Sequence, residues 1–243
     1  MIRLFIGFDP REAVAYHTMV QSIIDNTSAP VAITPLALGH LDGRLTRARD
    51  PRQSTDFAFS RFLVPSLCGF EGWALFMDCD MIVLGDLADL WSERDPRYAV
   101  QVVKHDHRPR EDTKFLGQAQ TRYAKKNWSS VMLFNNTACR ALTETFVNQA
   151  SGLELHQFRW LDGEDRIGDL APRWNHLVGY DAPDPGAAVL HYTTGGPYFD
   201  AYADVPCADL WQAYHRRATH AGSAPPEPAP SQCPSPAEGS RDH

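Results

Sequence analysis

Two aspartates separated by a single residue, Asp78 and Asp80, follow the apolar run 73–77 (WALFM) with no turn residue between. In an extended backbone, residues i and i+2 point to the same side, so the two carboxylates converge on one point. Like charges that close repel unless a cation lies between them. Hard oxygen ligands of this kind suit Mg²⁺ or Mn²⁺, above all when a bound diphosphate completes the shell. The bland alternative is a pair of turn aspartates capping a neighbouring helix. Placement at the end of a buried strand favours the functional reading. Two chemistries use such a pair at a strand end. In nucleotide-sugar transfer it holds a divalent ion on the donor diphosphate. In phosphoryl transfer of the haloacid dehalogenase type, the first Asp is a nucleophile and the second an acid. That second kind carries its pair on the first strand, whereas here it lies on about the third. Sugar transfer is favoured.

The elements that must hold this pair are legible around it. The run 3–8 (RLFIGF) is a buried strand closed by Asp9-Pro10. Asp9 as N-cap, Pro10 as first helical residue and Glu12 start a helix reaching Asn26. Further strands are expected at 31–38, 73–77, 81–84, 98–103 and 131–134, with helices at 57–67, 86–91 and 138–150. Strands alternating with helices predict an α/β fold with a mixed, largely parallel sheet flanked by helices. In such sheets ligands lie beyond the carboxyl ends of the strands, where Asp9 and Asp78–Asp80 stand.

Composition narrows the class. At 243 residues and 43% hydrophobic the chain can bury a sizeable core, and 23 basic against 30 acidic residues give a charge of −7. That balance offers no field to attract nucleic acid. The five cysteines form no CxxC pair and are too scattered for a disulfide framework, which predicts reduced thiols and a cytoplasmic protein. The N-terminal apolar run is too short for a signal segment, and no stretch approaches the roughly 20 apolar residues of a membrane span. Residues 219–243 hold six of the 18 prolines and no Leu, Ile, Val or aromatic residue. They read as a disordered tail behind one domain, 1–218.

Six segments, in order, resemble family 8 of the glycosyltransferases, the retaining glycogenin-like and lipopolysaccharide galactosyl- and glucosyltransferase enzymes of GT-A fold. They are FIGFDPRE, FAFSRFLVPSL, ALFMDCDMIVLGDL, NWSSVMLFNN, LDGEDRIGDLAPRWN and HYTTGGPYF. The resemblance implies transfer of a hexose from a nucleotide diphosphate sugar, a UDP-sugar being the expected donor, to a hydroxyl of a glycan or lipopolysaccharide. It places Phe8 and Asp9 at the nucleotide, Arg61 at the donor, and Asp78, Asp80 and His191 around Mn²⁺ or Mg²⁺. Ser129 and Ser130 stand at the small Ala-Gly pair where donor and acceptor approach. Glu164 and Asp165 fall near the residues proposed to lie beneath the anomeric carbon. The family's Gly-x-x-Lys-Pro-Trp becomes Gly-Gly-Pro-Tyr here, so the lysine that neutralises the leaving diphosphate is missing. Backbone amides of Gly195 and Gly196 in an anion nest, or Lys104 or Lys125, are the candidate substitutes. Two rivals remain: a phosphatase or nucleotidyltransferase using the same aspartates, and a nucleotide-sugar-binding module without catalysis.

Overall fold

The computed structural model describes residues 1–50, 53–106, 113–119, 124–224, 226–230 and 232–233. In chain order the strands and helices are β1 (Ile2–Gly7), α1 (Ala13–Asn26), β2 (Val31–Leu36), α2 (Val64–Leu67), β3 (Trp73–Met77), β4 (Met81–Val83), α3 (Leu87–Ser92), β5 (Val100–Val102), the two-residue β6 (Thr113–Lys114) and β7 (Gln118–Ala119), β8 (Val131–Asn135), α4 (Glu144–Gln149), α5 (Gly152–His156), β9 (Ile167–Asp169), β10 (His176–Leu177), β11 (Val189–His191) and α6 (Ala208–Ala218). A six-stranded sheet runs β2-β1-β3-β8-β5-β9 and a three-stranded one β10-β11-β4. In the larger sheet β8 is antiparallel to both neighbours and the other pairings are parallel. This is the mixed, mostly parallel α/β architecture expected, of GT-A type.

The central strand β3 shows why the sequence lacks a two-residue alternation there. Ala74, Leu75, Phe76 and Met77 are all fully buried, because both faces of the sheet are covered. Each large side chain so buried contributes about 1.5–3 kcal/mol. The chain leaves β3 at Asp78, whose N–H still bonds the Ser130 carbonyl at 3.0 Å, and enters β4 in the other sheet. The DxD segment is therefore the joint between two sheets, fixed at both ends. Cys79 between the aspartates points the opposite way and is fully buried.

Three expectations are revised. The helix expected at 138–150 begins only at Glu144, because Thr143 is extended and its hydroxyl caps Phe146 N–H. The helix α6 was not anticipated. Its Leu210, Trp211 and Tyr214 are buried in a second core with Ile82, Leu190 and Tyr192, packed on α1 and the smaller sheet. The cysteines are not all free thiols: Cys207 is joined to Cys233 in a disulfide, with Cα atoms 5.3 Å apart. Spacing could not show this, because the 26-residue separation is closed by tertiary packing. Within the segment read as a tail, Ala229 and Cys233 pack against the second core, and Arg217 donates to the carbonyls of Pro226 and Glu227. Residues 225, 231 and 234–243 lie outside the described residues, as does His107 of the 104–107 charged loop. Among the described residues, no helix is long and apolar enough to cross a membrane.

Candidate metal and nucleotide-sugar site

Asp78 and Asp80 turn to the same side, as their spacing requires, and His191 comes to meet them from β11, in register with Met81 of β4. Ligand atoms of the three residues all lie within 4.8 Å of one another. The carboxylates are largely buried: their side chains are only 11% and 12% accessible, and that of His191 only 2%. Burial pushes the Asp78 carboxyl up to about 6; Arg61 opposes this, Asp80 reinforces it, and His191 and a hydrogen bond from Ser130 oppose it. Two carboxylates balanced by one guanidinium leave a buried negative charge, which a divalent cation would neutralise.

The orientation of His191 fits such an ion. Asn175 Nδ2 donates to the Asn127 carbonyl at 3.2 Å, so its Oδ1 is the end facing His191. That oxygen lies 2.9 Å from His191 Nδ1 and can only accept. The ring proton is thereby held on Nδ1, and the Nε2 lone pair faces Asp80 Oδ1 at 3.4 Å. A lone pair aimed at a carboxylate is unfavourable, and either a proton on Nε2 or a cation between the two groups relieves it. A ligating imidazole anchored through its other nitrogen is the usual arrangement of metal sites.

Above these residues opens a cleft of about 370 Å³, walled by Asp50 and the loop 53–59, by Asn127, Ser129 and Ser130, and by α5 with His156. Arg61 reaches it from below. It is 5% exposed, pairs with Asp78 Oδ1 at 2.8 Å, donates to the Ser129 carbonyl at 2.8 Å, and lies over Phe57 and Phe76. Planar stacking and a fork of donors explain why this is arginine rather than lysine. Among the described residues lining the cleft, Arg61 is the sole lysine or arginine.

The structure thus brings together Asp78, Asp80, His191, Arg61, Ser129 and Ser130. Other expected residues are not among those lining the cleft. Phe8 packs edge-on against Tyr16. Asp9 is fully buried and caps the turn Pro10–Glu12; it accepts from Arg11 N–H and Nε, both at 2.9 Å, and from Asp56 N–H at 3.0 Å. Burial alone would raise its pKa, but those hydrogen bonds hold it below the ordinary value. Its capping role is realised, and it acts on the cleft by fixing the loop 54–56. Glu164 and Asp165 lie exposed on a short 3-10 turn, with Glu164 paired to Lys125. An acidic loop in solvent is what their local sequence also permits.

Gly195 and Gly196, the expected anion nest, are not among the residues lining the cleft. A Cβ at Gly195 would stand 2.7 Å from the Tyr202 ring, and one at Gly196 2.2 Å from Tyr198. These glycines make room for tyrosines, and the Gly195 amide donates to the Tyr192 carbonyl at 2.9 Å. Lys104 pairs with Asp169 and Lys125 with Glu164, so both are held by carboxylates away from the cleft. Sequence reasoning assigned no role to Asn175, His156 or Thr193. Asn175 ends the segment LDGEDRIGDLAPRWN on a 3-10 turn, yet its partner His191 is 16 residues away on β11.

No protein-family model matches the chain. Among solved structures, it superposes on an active-site mutant of LgtC with a TM-score of 0.60 at 13% identity, over 91% of this chain and 98% of that one. The apo glycosyltransferase GlyE of Streptococcus pneumoniae TIGR4 gives 0.58 at 16%, over 88% of this chain but only 60% of GlyE. Mouse xyloside xylosyltransferase 1 gives 0.51 at 13% identity. Likeness at these identities establishes the fold. Protein CDI of Arabidopsis thaliana is 43% identical over 218 residues, covering 86% of this chain and 84% of that protein. With that identity over that span, the chain belongs to the same family as Protein CDI.

Proposed function

We propose that the protein is a metal-dependent glycosyltransferase of the family 8 kind, moving a hexose from a nucleotide diphosphate sugar, UDP-sugar first, to a hydroxyl of a glycan or similar acceptor with retained configuration. The observation that carries this reading is the convergence of Asp78, Asp80 and His191 at the floor of the cleft, where β3 of a GT-A type sheet ends. Asp78, Asp80 and the Nε2 of His191 would hold Mn²⁺ or Mg²⁺, and such an ion when bound supplies charge neutralisation on a departing diphosphate. Arg61 holds Asp78 in place. Ser129 and Ser130 line the wall that a sugar would meet. Asp78 does not suit the nucleophile's role of a phosphatase, because a buried guanidinium is paired to it.

One observation favours a second reading, binding without turnover. The cleft has no lysine among its described lining residues, and Glu164 and Asp165 lie outside it. A screen of nucleotide sugars for hydrolysis and transfer, with and without Mn²⁺, separates the two. Mn²⁺-dependent release of nucleoside diphosphate supports transfer; tight donor binding with no release from any donor supports the binding module.

A further inference from the structure

Where the resemblance carries an Ala-Gly pair, the turn Trp128–Ser130 brings two hydroxyls to the cleft. Ser130 hydrogen-bonds Asp78. Ser129 faces His156, its Oγ 2.8 Å from Nδ1. A neutral imidazole carries one N–H and one lone pair. The His156 ring also donates to the Ala58 carbonyl; with Nδ1 facing Ser129, that bond falls to Nε2–H, so Nδ1 is the acceptor and Ser129 the donor. Phe62 meets the ring edge-on at 5.1 Å between centroids and Phe59 approaches at 6.4 Å, so the ring is gripped on its faces and edges. The Ser129 carbonyl is tied to Arg61. Ser129 Oγ therefore offers only lone pairs to whatever enters the cleft.

A serine–histidine pair has two other uses, as a nucleophile or as a proton relay. Both require His156 to take a proton. Burial, followed by the charges of Arg61 and Lys126, holds its pKa well below the ordinary value. The imidazolium is disfavoured where either use would form it. The fixed acceptor remains.

Building on the nucleotide-sugar reading, we propose that Ser129, its proton anchored on His156, is a specificity-determining residue that accepts a hydrogen bond from a hydroxyl of the sugar carried by the donor. The departure from Ala-Gly then has a consequence: this chain reads a sugar hydroxyl with a side chain at that point. A buried acceptor left unpaired discriminates against a ligand lacking the matching group.

Calorimetry in Mn²⁺ with UDP, UDP-glucose, UDP-galactose and UDP-xylose tests this on the wild type, Ser129→Ala and His156→Phe. The expected result is that Ser129→Ala weakens the preferred UDP-sugar about tenfold more than UDP itself, the scale of one hydrogen bond. His156→Phe, which frees the serine proton, shifts the balance the same way. Equal losses for UDP and UDP-sugar, or none, overturn the assignment while leaving the nucleotide-sugar reading intact. Failure of the wild type to bind any of the four overturns that reading and the assignment with it. Nitrogen NMR of the wild-type His156 ring adds a check independent of folding in the variants. A neutral ring with unprotonated Nδ1 at pH 7 is expected; a proton on Nδ1 contradicts the proposal.

Discussion

Asn175 is an apolar-sized side chain whose single oxygen decides which nitrogen of His191 carries the proton. Replacing it by Leu keeps the branched outline in a somewhat larger side chain and removes the acceptor, leaving a buried N–H unpaired and the ring proton free to move to Nε2. Mn²⁺ affinity is expected to fall about 10- to 100-fold, the range for losing the partner of a ligating histidine. Titration calorimetry with Mn²⁺ checks it, and unchanged affinity in a folded variant contradicts the tautomer argument. Asp78 and Asp80 also behave differently as targets. Asp78→Asn strips a buried guanidinium of its partner and is expected to cost about 3–5 kcal/mol in stability. Asp80→Asn relieves repulsion on Asp78, so thermal melts are expected to show the fold kept. Spacing alone revealed that the two carboxylates converge, because i and i+2 geometry is local. It could not reveal Arg61 beneath them, which arrives from a 3-10 turn 17 positions earlier in the chain and is set there by Phe57 and Phe76.

Two short elements wall the cleft and their stability is separately testable. At the end of β1, Gly7 faces Phe57 so closely that a Cβ would stand 2.4 Å from the ring. Gly7→Ala is expected to cost about 1–3 kcal/mol by pushing Phe57 and the loop 53–59 out of place. A denaturant melt reads the loss, and no change in midpoint contradicts the packing described. At the end of α5, His156 is held neutral, its pKa well below 6.5 in the folded state. The unfolded chain binds a proton there below about pH 6.5 and the folded chain does not. Stability is thus present above that pH and lost as pH falls below it. Wild-type Tm is expected to drop more between pH 7 and 5 than that of His156→Phe; parallel curves contradict it. The strands β1, β3 and β8 were legible as apolar runs. The strands β9 and β10 were not, since they are two or three residues long and owe their form to pairing. The helix α6 does carry a signal, with Leu210, Trp211 and Tyr214 on one face, which the surrounding Pro and Gly obscured.

At the scale of the molecule, two cores meet along α1. The larger sheet positions Asp78; the smaller, braced by α6, positions His191. The metal ligands therefore straddle the joint between them, and the Tyr192 N–H bond to the Asp80 carbonyl at 2.9 Å ties the two sides together. The Cys207–Cys233 bridge secures the start of α6. Its 26-residue separation predicts a loss of about 3.5 kcal/mol on Cys233→Ser by loop-closure entropy. A Tm that is the same with and without reductant contradicts the pairing. The fold class was readable because local alternation of strand and helix survives any tertiary detail. The site was readable only in part: the cleft's walls come from segments 53–59, 127–130 and 151–156, which no local pattern joins.

The central claim is that Asp78, Asp80 and His191 together hold a divalent ion on a donor diphosphate. Calorimetry of UDP binding in Mn²⁺ and in EDTA, on the wild type and Asp80→Asn, tests it most directly. Mn²⁺ is expected to tighten UDP binding at least about tenfold in the wild type and to have no effect in the variant. Equal wild-type affinity in Mn²⁺ and EDTA would contradict it.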